Sequence, residues 1–225
     1  MKNLALSILV LPLIAFIIAG CGKTETNTKT GEKNTTTETS KQNAAGSKEL
    51  KVDAATSEVL WHAEKVVGKH DGTVKIKQGV INVKDGKIVG GTVDIDLATI
   101  ANTDLTDAES NGKLVNHLKS EDFFDVAKFP TSKLEITEVT PVQNSAAGQP
   151  NYTVKGNLTI RGVTKGITFP ATLNVSDSKV TGTATFDIDR TEFGLKYGSG
   201  KFFEGLGDKM IKDNFTMKFN VNAGI

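Results

Sequence analysis

Cysteine occurs once in the 225 residues, at Cys21, so the chain can build neither an internal disulfide framework nor a cysteine-cluster metal site. Net charge is equally scarce. Lys and Arg number 27 against 26 Asp and Glu, a balance of +1, and no basic stripe is present to follow a phosphate backbone, which excludes nucleic acid as the expected partner. The three histidines, His62, His70 and His117, share no HxH or HxxxH spacing, so no metal site is expected. No Gly-x-Ser-x-Gly elbow occurs, and nucleophilic catalysis is left without an obvious nucleophile. Prolines number five against 22 glycines, with Thr and Val recurring throughout, a composition of short strands and turns rather than helices.

Long apolar runs are absent except at the start, where Lys2 precedes Leu4 to Ile18. About fifteen apolar residues are short for a membrane span and suit a signal-peptide core. Ile18-Ala19-Gly20-Cys21 follows and resembles a bacterial lipobox, with Ile18 where Leu is usual. Residues 1–20 are therefore expected to be a lipoprotein signal peptide and Cys21 the lipidated N-terminus, exported and membrane-anchored at the bacterial cell envelope. From Gly22 to about Lys48 hardly an apolar residue occurs, so residues 21–49 are expected to be a lipidated, disordered tether. The folded domain is expected over residues 50–225.

Alternation dominates that domain. Val59, Trp61 and Ala63 open it, a turn is expected over Gly68 to Gly72, and Val74, Ile76 and the run Val80 to Val83 follow. Asp85-Gly86 is a hairpin signal, after which Val89, Val93, Ile95 and Leu97 alternate with polar residues. Spacings of three and four predict one short helix around Gly112 to Lys119, close to the pair Phe123-Phe124. Asn151 to Val175 reads as two strands about a turn at Arg161 to Gly166. Its dry face includes Leu158, Ile160, Phe169 and Leu173, its wet face Thr159, Arg161 and Thr172. Val180 to Ile188 and Phe215 to Val221 are further one-sided strands, separated by an irregular glycine-rich piece from Gly194 to Gly207. About eight antiparallel strands result. A sandwich competes, but a closed barrel leaves no unpaired edges, so an all-β, eight-stranded antiparallel barrel with one short helical insertion is expected.

Trp61, Leu158, Ile160, Phe169, Phe186, Phe215, Met217 and Phe219 fall on the inward face. A packed core would account for most of them. Small residues recur on the same face at Ala63, Gly156, Ala171, Gly182 and Ala184, and would leave room for an apolar ligand. Arg190, at the end of a strand after Asp187-Ile188-Asp189, is expected at the mouth, where it could meet an anionic head group or simply pair with a neighbouring carboxylate; His70 is a second such candidate. Tyr197-Gly198-Ser199-Gly200-Lys201 lacks the first Gly and the Ser or Thr of a phosphate loop and is read as a lip or turn. No catalytic residues and no cofactor are assigned.

Four stretches carry a family pattern: His70-Asp71-Gly72; His117 to Val126 leading to Phe129-Pro130; Gly156-Asn157-Leu158-Thr159-Ile160-Arg161-Gly162-Val163-Thr164-Lys165; and Asp189 to Gly194. In this order and spacing the chain resembles the YceI-like family from about Leu50 to its C-terminus. The resemblance implies a lipocalin-like barrel that holds a polyisoprenoid or other long-chain amphiphilic lipid, by binding rather than turnover. Two other classes stay open: an enzyme acting on such a lipid, with His70 and Arg190 as candidates, and an interaction scaffold that docks a partner through the helical insertion.

Overall fold

The computed structural model describes residues 28–34 and 46–225. The segment expected to be a signal peptide, and Cys21, lie outside the described residues. Eight strands close on themselves: β3 (Glu58–Lys65), β4 (Gly68–Lys84), β5 (Lys87–Asn102), β6 (Thr131–Pro141), β7 (Tyr152–Ile160), β8 (Val163–Val175), β9 (Lys179–Asp189) and β10 (Ile211–Gly224). Each pairs antiparallel with the next, and β10 returns to β3 through Met217↔Trp61 and Phe219↔Val59. The expected eight-stranded barrel is what forms. β2 (Lys48–Val52) fills the gap below β3, pairing β4 through Leu50↔Ile81 and β10 through Ala223↔Val52.

Period-two alternation places Val59, Trp61, Leu158, Ile160, Ile167, Phe169, Ala171, Phe186 and Ile188 in the interior. Where the phase slips, bulges are responsible. In β4 the register shifts between Ile76 and Gln78, so Val74 and Ile76 face inward and, after the extra residue, Ile81 and Val83 do too. In β5 it is Ile88, not the expected Val89, that is buried, because the ladder also shifts near Asn82. Asp85 and Gly86 both take positive φ, 50° and 68°, as a two-residue hairpin turn requires.

Two further expectations are corrected. The turn placed over Gly68 to Gly72 is part of β4, and the reversal is made by Val66 and Val67, which carry no turn chemistry. His70 is therefore a strand residue, paired with Ala63. The helix α1 (Ala108–Lys119) starts four residues before Gly112, because the Asp107 carboxylate accepts the Ser110 N–H at 2.8 Å and caps it.

Within the segment expected to be a disordered tether, β1 (Lys29–Gly31) pairs with β8 through Lys29↔Thr168 and Gly31↔Gly166. The β8–β9 ladder stops at Ala171↔Ala184, and β1 takes up the β8 edge above it. The chain then crosses β8 at Gly166, where any Cβ would run into the Glu32 carbonyl. Asn34 donates its N–H to Asn157 Oδ1 at 2.8 Å and its Nδ2 to the Gly156 carbonyl at 2.7 Å, and receives Asn157 Nδ2 on its own carbonyl at 3.1 Å. Asn157 is almost fully buried by this contact.

Candidate functional site

The barrel interior is not filled. A cavity of about 110 Å³ lies at the end that carries α1, the β3–β4 and β7–β8 turns and the β9–β10 connection. A second of about 80 Å³ lies toward the opposite end. Leu134 and Phe219 line both, and a stack of rings stands between them: Phe169 on Phe186 with centroids 4.1 Å apart, and Phe186 parallel to Phe219 at 5.7 Å. The interior is thus two chambers end to end, separated by side chains rather than backbone.

Of the residues singled out in the sequence, Trp61, Leu158, Ile160, Phe186, Phe215, Met217 and Phe219 line the first chamber, and Phe169 lines the second. Leu173 also faces the second, while Thr159 and Thr172 face neither. The small residues behave unequally. Ala63, Ala171 and Ala184 leave space, but Leu134 and Leu173 occupy the room beside Gly156 and Gly182, and the Trp61 indole lies against Gly72.

The lining of the first chamber is apolar except for Ser132, Arg190 and Lys212. Ser132 Oγ and Trp61 Nε1 are buried without a hydrogen-bond partner in the protein. An unmet buried donor costs about 1–3 kcal/mol, so both groups favour a ligand that brings an acceptor inside.

Arg190 is placed differently from a free head-group receptor. Its guanidinium is buried, donating from Nε to the Lys212 carbonyl at 3.1 Å, from Nη1 to Leu195 at 2.6 Å and from Nη2 to Ile211 at 3.1 Å. Asp213 stands 3.7 Å away. Burial lowers its pKa, with Asp213 and Asp189 opposing, so this cation pins the β9–β10 connection while its stem lines the chamber. Asp189 is occupied by Thr191 and by Lys201 at 2.7 Å.

His70 does not reach the cavity lining. Its Nδ1 lies 2.9 Å from Asp104, which also accepts the Asp71 N–H at 2.8 Å and bonds the buried Asn102. Burial raises the Asp104 carboxyl, but these donors outweigh it and hold the pKa at about 2. His62, on the outer face, sits 2.6 Å from Asp71 and 3.2 Å from Glu64; the Asp71 bond raises its pKa against the opposing effect of burial. Among the described residues no group of three or more His, Cys, Asp or Glu is arranged to hold a metal.

Leu118, Phe123, Phe124, Leu195 and Ile211 complete the chamber and were not assigned to it from sequence. The Arg161 guanidinium donates to the Phe123 carbonyl at 3.1 Å and ties the insertion to the β7–β8 turn. His117 meets Phe123 and Tyr197 edge-on, at 5.0 and 4.7 Å between ring centroids, joining α1 to the β9–β10 connection. These long-range contacts form a roof over the chamber. Ser199, wholly buried, receives the Lys201 N–H at 3.2 Å, so Tyr197 to Lys201 is a closed turn rather than a phosphate cradle.

Comparison with known proteins agrees with this geometry. A UPF0312 protein of Pseudomonas putida strain W619 is 32% identical over 131 residues, 56% of this chain and 63% of its own length. The chain thus spans less than two thirds of the curated relatives it matches. The crystal structure of Burkholderia cenocepacia BcnA superposes with a TM-score of 0.59 at 23% identity, over 76% of this chain and 99% of that one. A polyisoprenoid binding domain from Saccharophagus degradans, implicated in plant cell wall breakdown, gives 0.53 at 14% identity, over 78% and 97%. The family model described as the YceI-like domain matches residues 50–223, and the chain belongs to that family.

Proposed function

We propose that the barrel binds a polyisoprenoid-like or other long-chain amphiphilic lipid and sequesters or carries it at the bacterial cell envelope without chemical turnover. The observation that carries this is the first chamber: a wall of aliphatic and aromatic side chains that includes Trp61 and Ser132, whose Nε1 and Oγ are buried without a partner in the protein. An apolar tail gains about 0.8 kcal/mol for each buried CH2, and a single acceptor would satisfy a donor in the wall. Ligand chemistry in the Saccharophagus domain supports the same reading. Cys21, if acylated as its lipobox-like context suggests, would hold the carrier to a membrane.

The ionisable groups near the mouth favour binding over catalysis. Arg190 is engaged by three carbonyls, and His70, which lies outside the lining, by Asp104; among the described residues the chamber is lined by no carboxylate and no histidine. The scaffold reading has less support, because Phe123 is buried in the chamber wall instead of standing free on the insertion. Native mass spectrometry of the full chain after mild detergent extraction tests the proposal. Adducts of prenyl or acyl lipid mass are expected; a barrel that stays empty and takes up neither class on incubation refutes it.

A further inference from the structure

At the roofed end of the barrel the β3–β4 turn and the β9–β10 connection form an apolar lip. Val66 and Val67 are 51% and 60% exposed, and Phe202 and Phe203 are 46% and 50% exposed. They are one patch. The Val66 N–H bonds the Met210 carbonyl at 3.0 Å, Met210 lies against Gly200, and the Phe202 and Phe203 N–H groups bond the Ser199 carbonyl at 3.1 and 3.0 Å. Two adjacent phenylalanines at a loop tip gain nothing from water, and hydrophobic-core packing does not need them there.

Charge says what covers them. From Lys65 to Lys69 and from Arg190 to Met210 the chain carries Lys65, Lys69, Lys196, Lys201, Lys209 and the buried Arg190 against Glu192, Glu204 and Asp208. Lys201 is paired with Asp189 and Asp213, and Glu192 with Lys165, so the exposed Lys65, Lys69, Lys196 and Lys209 stand against Glu204 and Asp208. Lys196 lies over the Phe202 ring, 4.7 Å from its centroid. Over the whole chain the balance is +1, so the excess on this lip is local. Aromatic tips ringed by lysines match the boundary between acyl chains and anionic head groups, where the rings enter the apolar layer and the ammonium groups remain with phosphate. Ile211, whose N–H bonds the Gly198 carbonyl at 2.8 Å, lines the first chamber, so the lip is joined directly to the cavity wall.

We infer that this lip, with Phe202 and Phe203 at its tip, docks on an anionic bilayer and places the roofed end of the barrel against the membrane. Docking stands on the lip alone; the further step, that lipid passes there between bilayer and chamber, rests on the proposed lipid-binding function. A route of this kind spares a water-insoluble tail any passage through solvent, and the Tyr197–His117–Phe123 contacts link the lip to the roof that would have to part.

The test uses the full chain with vesicles of phosphatidylcholine, with and without phosphatidylglycerol, containing bromine-labelled acyl chains. Phe203→Trp is compared with Val142→Trp on the opposite end, and the native chain supplies the Trp61 background. Quenching of the tryptophan at position 203 and not at 142, stronger with the anionic lipid, is expected. Equal quenching at the two positions, or none at 203, overturns the docking. In the second arm, a fluorescent long-chain alcohol is transferred from vesicles to protein. Phe202→Ser/Phe203→Ser should slow transfer at least tenfold and leave equilibrium occupancy unchanged, whereas an unchanged rate overturns the route. Absence of any occupancy in the native chain refutes the lipid-binding reading instead, and the quenching result still decides the docking.

Discussion

Phe219→Ala should turn two chambers into one and lengthen the tail the barrel accepts. Phe219 lines both cavities, and its ring is the last of the Phe169–Phe186–Phe219 stack. The second chamber, about 80 Å³, has space for about five to eight water-sized groups at roughly 10–15 Å³ each. If only three further methylenes enter it, burial at about 0.8 kcal/mol each contributes about 2.4 kcal/mol, roughly a fifty-fold gain in affinity for a long tail over a short one. The same change removes a stacked ring and costs about 3 kcal/mol of stability, at the lower end for Phe→Ala because the ring already borders space. Displacement of a fluorescent probe by a homologous series of alkyl or prenyl alcohols measures the first effect, and urea unfolding the second. In the native chain affinity should rise with length and level off; in the variant the plateau should move to longer chains by about five carbons or more. A variant that levels off at the same length would show that tails do not run along the barrel axis, and the partition argument would fail.

Ser132→Ala and Trp61→Phe should each weaken binding of an amphiphile about tenfold by removing a donor from the chamber wall, while leaving a hydrocarbon of equal length unaffected or bound more tightly; calorimetry with matched ligands checks this. Arg190→Met should destabilise the fold by about 3 kcal/mol in urea unfolding, and Arg190→Lys should not restore it, since one ammonium cannot reach the carbonyls of Leu195, Ile211 and Lys212 together. Asp104 has a folded pKa of about 2, below its ordinary value near 3.8, so its contribution is complete above that ordinary value and fades as pH falls through 2; Asp104→Asn should flatten the acid limb of a stability-against-pH curve over that window. Gly166→Val should displace β1, read as loss of amide-exchange protection over residues 29–31 with the barrel amides unchanged.

The inward faces of β7 to β10 were legible in the sequence because a strand's period of two separates a dry face from a wet one without reference to its neighbours. Leu158, Ile160, Phe169 and Phe186 stand where alternation placed them. What alternation cannot carry is a bulge, which shifts the phase inside a strand, and the exchange of Ile88 for Val89 follows from that. The β3–β4 reversal at Val66 and Val67 was hidden for a related reason: it lacks Gly, Asn, Asp and Pro, and the nearby glycines at 68 and 72 drew the turn into β4. The roof was illegible because its residues meet across the fold. Phe123 is held in the chamber wall by a bond from Arg161, 38 positions later, and Tyr197 joins the roof from outside by its contact with His117. Arg190 had two readings in the sequence, an anionic head group or a neighbouring carboxylate; Asp213 stands 3.7 Å away, but the hydrogen bonds go to the carbonyls of Leu195, Ile211 and Lys212, which only the folded chain brings around the guanidinium.

The short strand β1 would change how far a barrel anchored at Cys21 could wander. Counted to Lys48, a membrane anchor at Cys21 would be followed by 27 residues of leash, close to 90 Å when drawn out at about 3.3–3.6 Å per residue. With Lys29–Gly31 stitched to β8 and Asn34 fastened to Asn157, the barrel is attached at Lys29, eight residues from Cys21, a contour of at most about 28 Å. A barrel anchored at Cys21 and moored that closely would sample a thin layer over the bilayer rather than the depth of the compartment. Unstitching three residues would treble that range, so for the anchored lipid carrier proposed above a few hydrogen bonds on the outer wall would set the distance over which it could deliver.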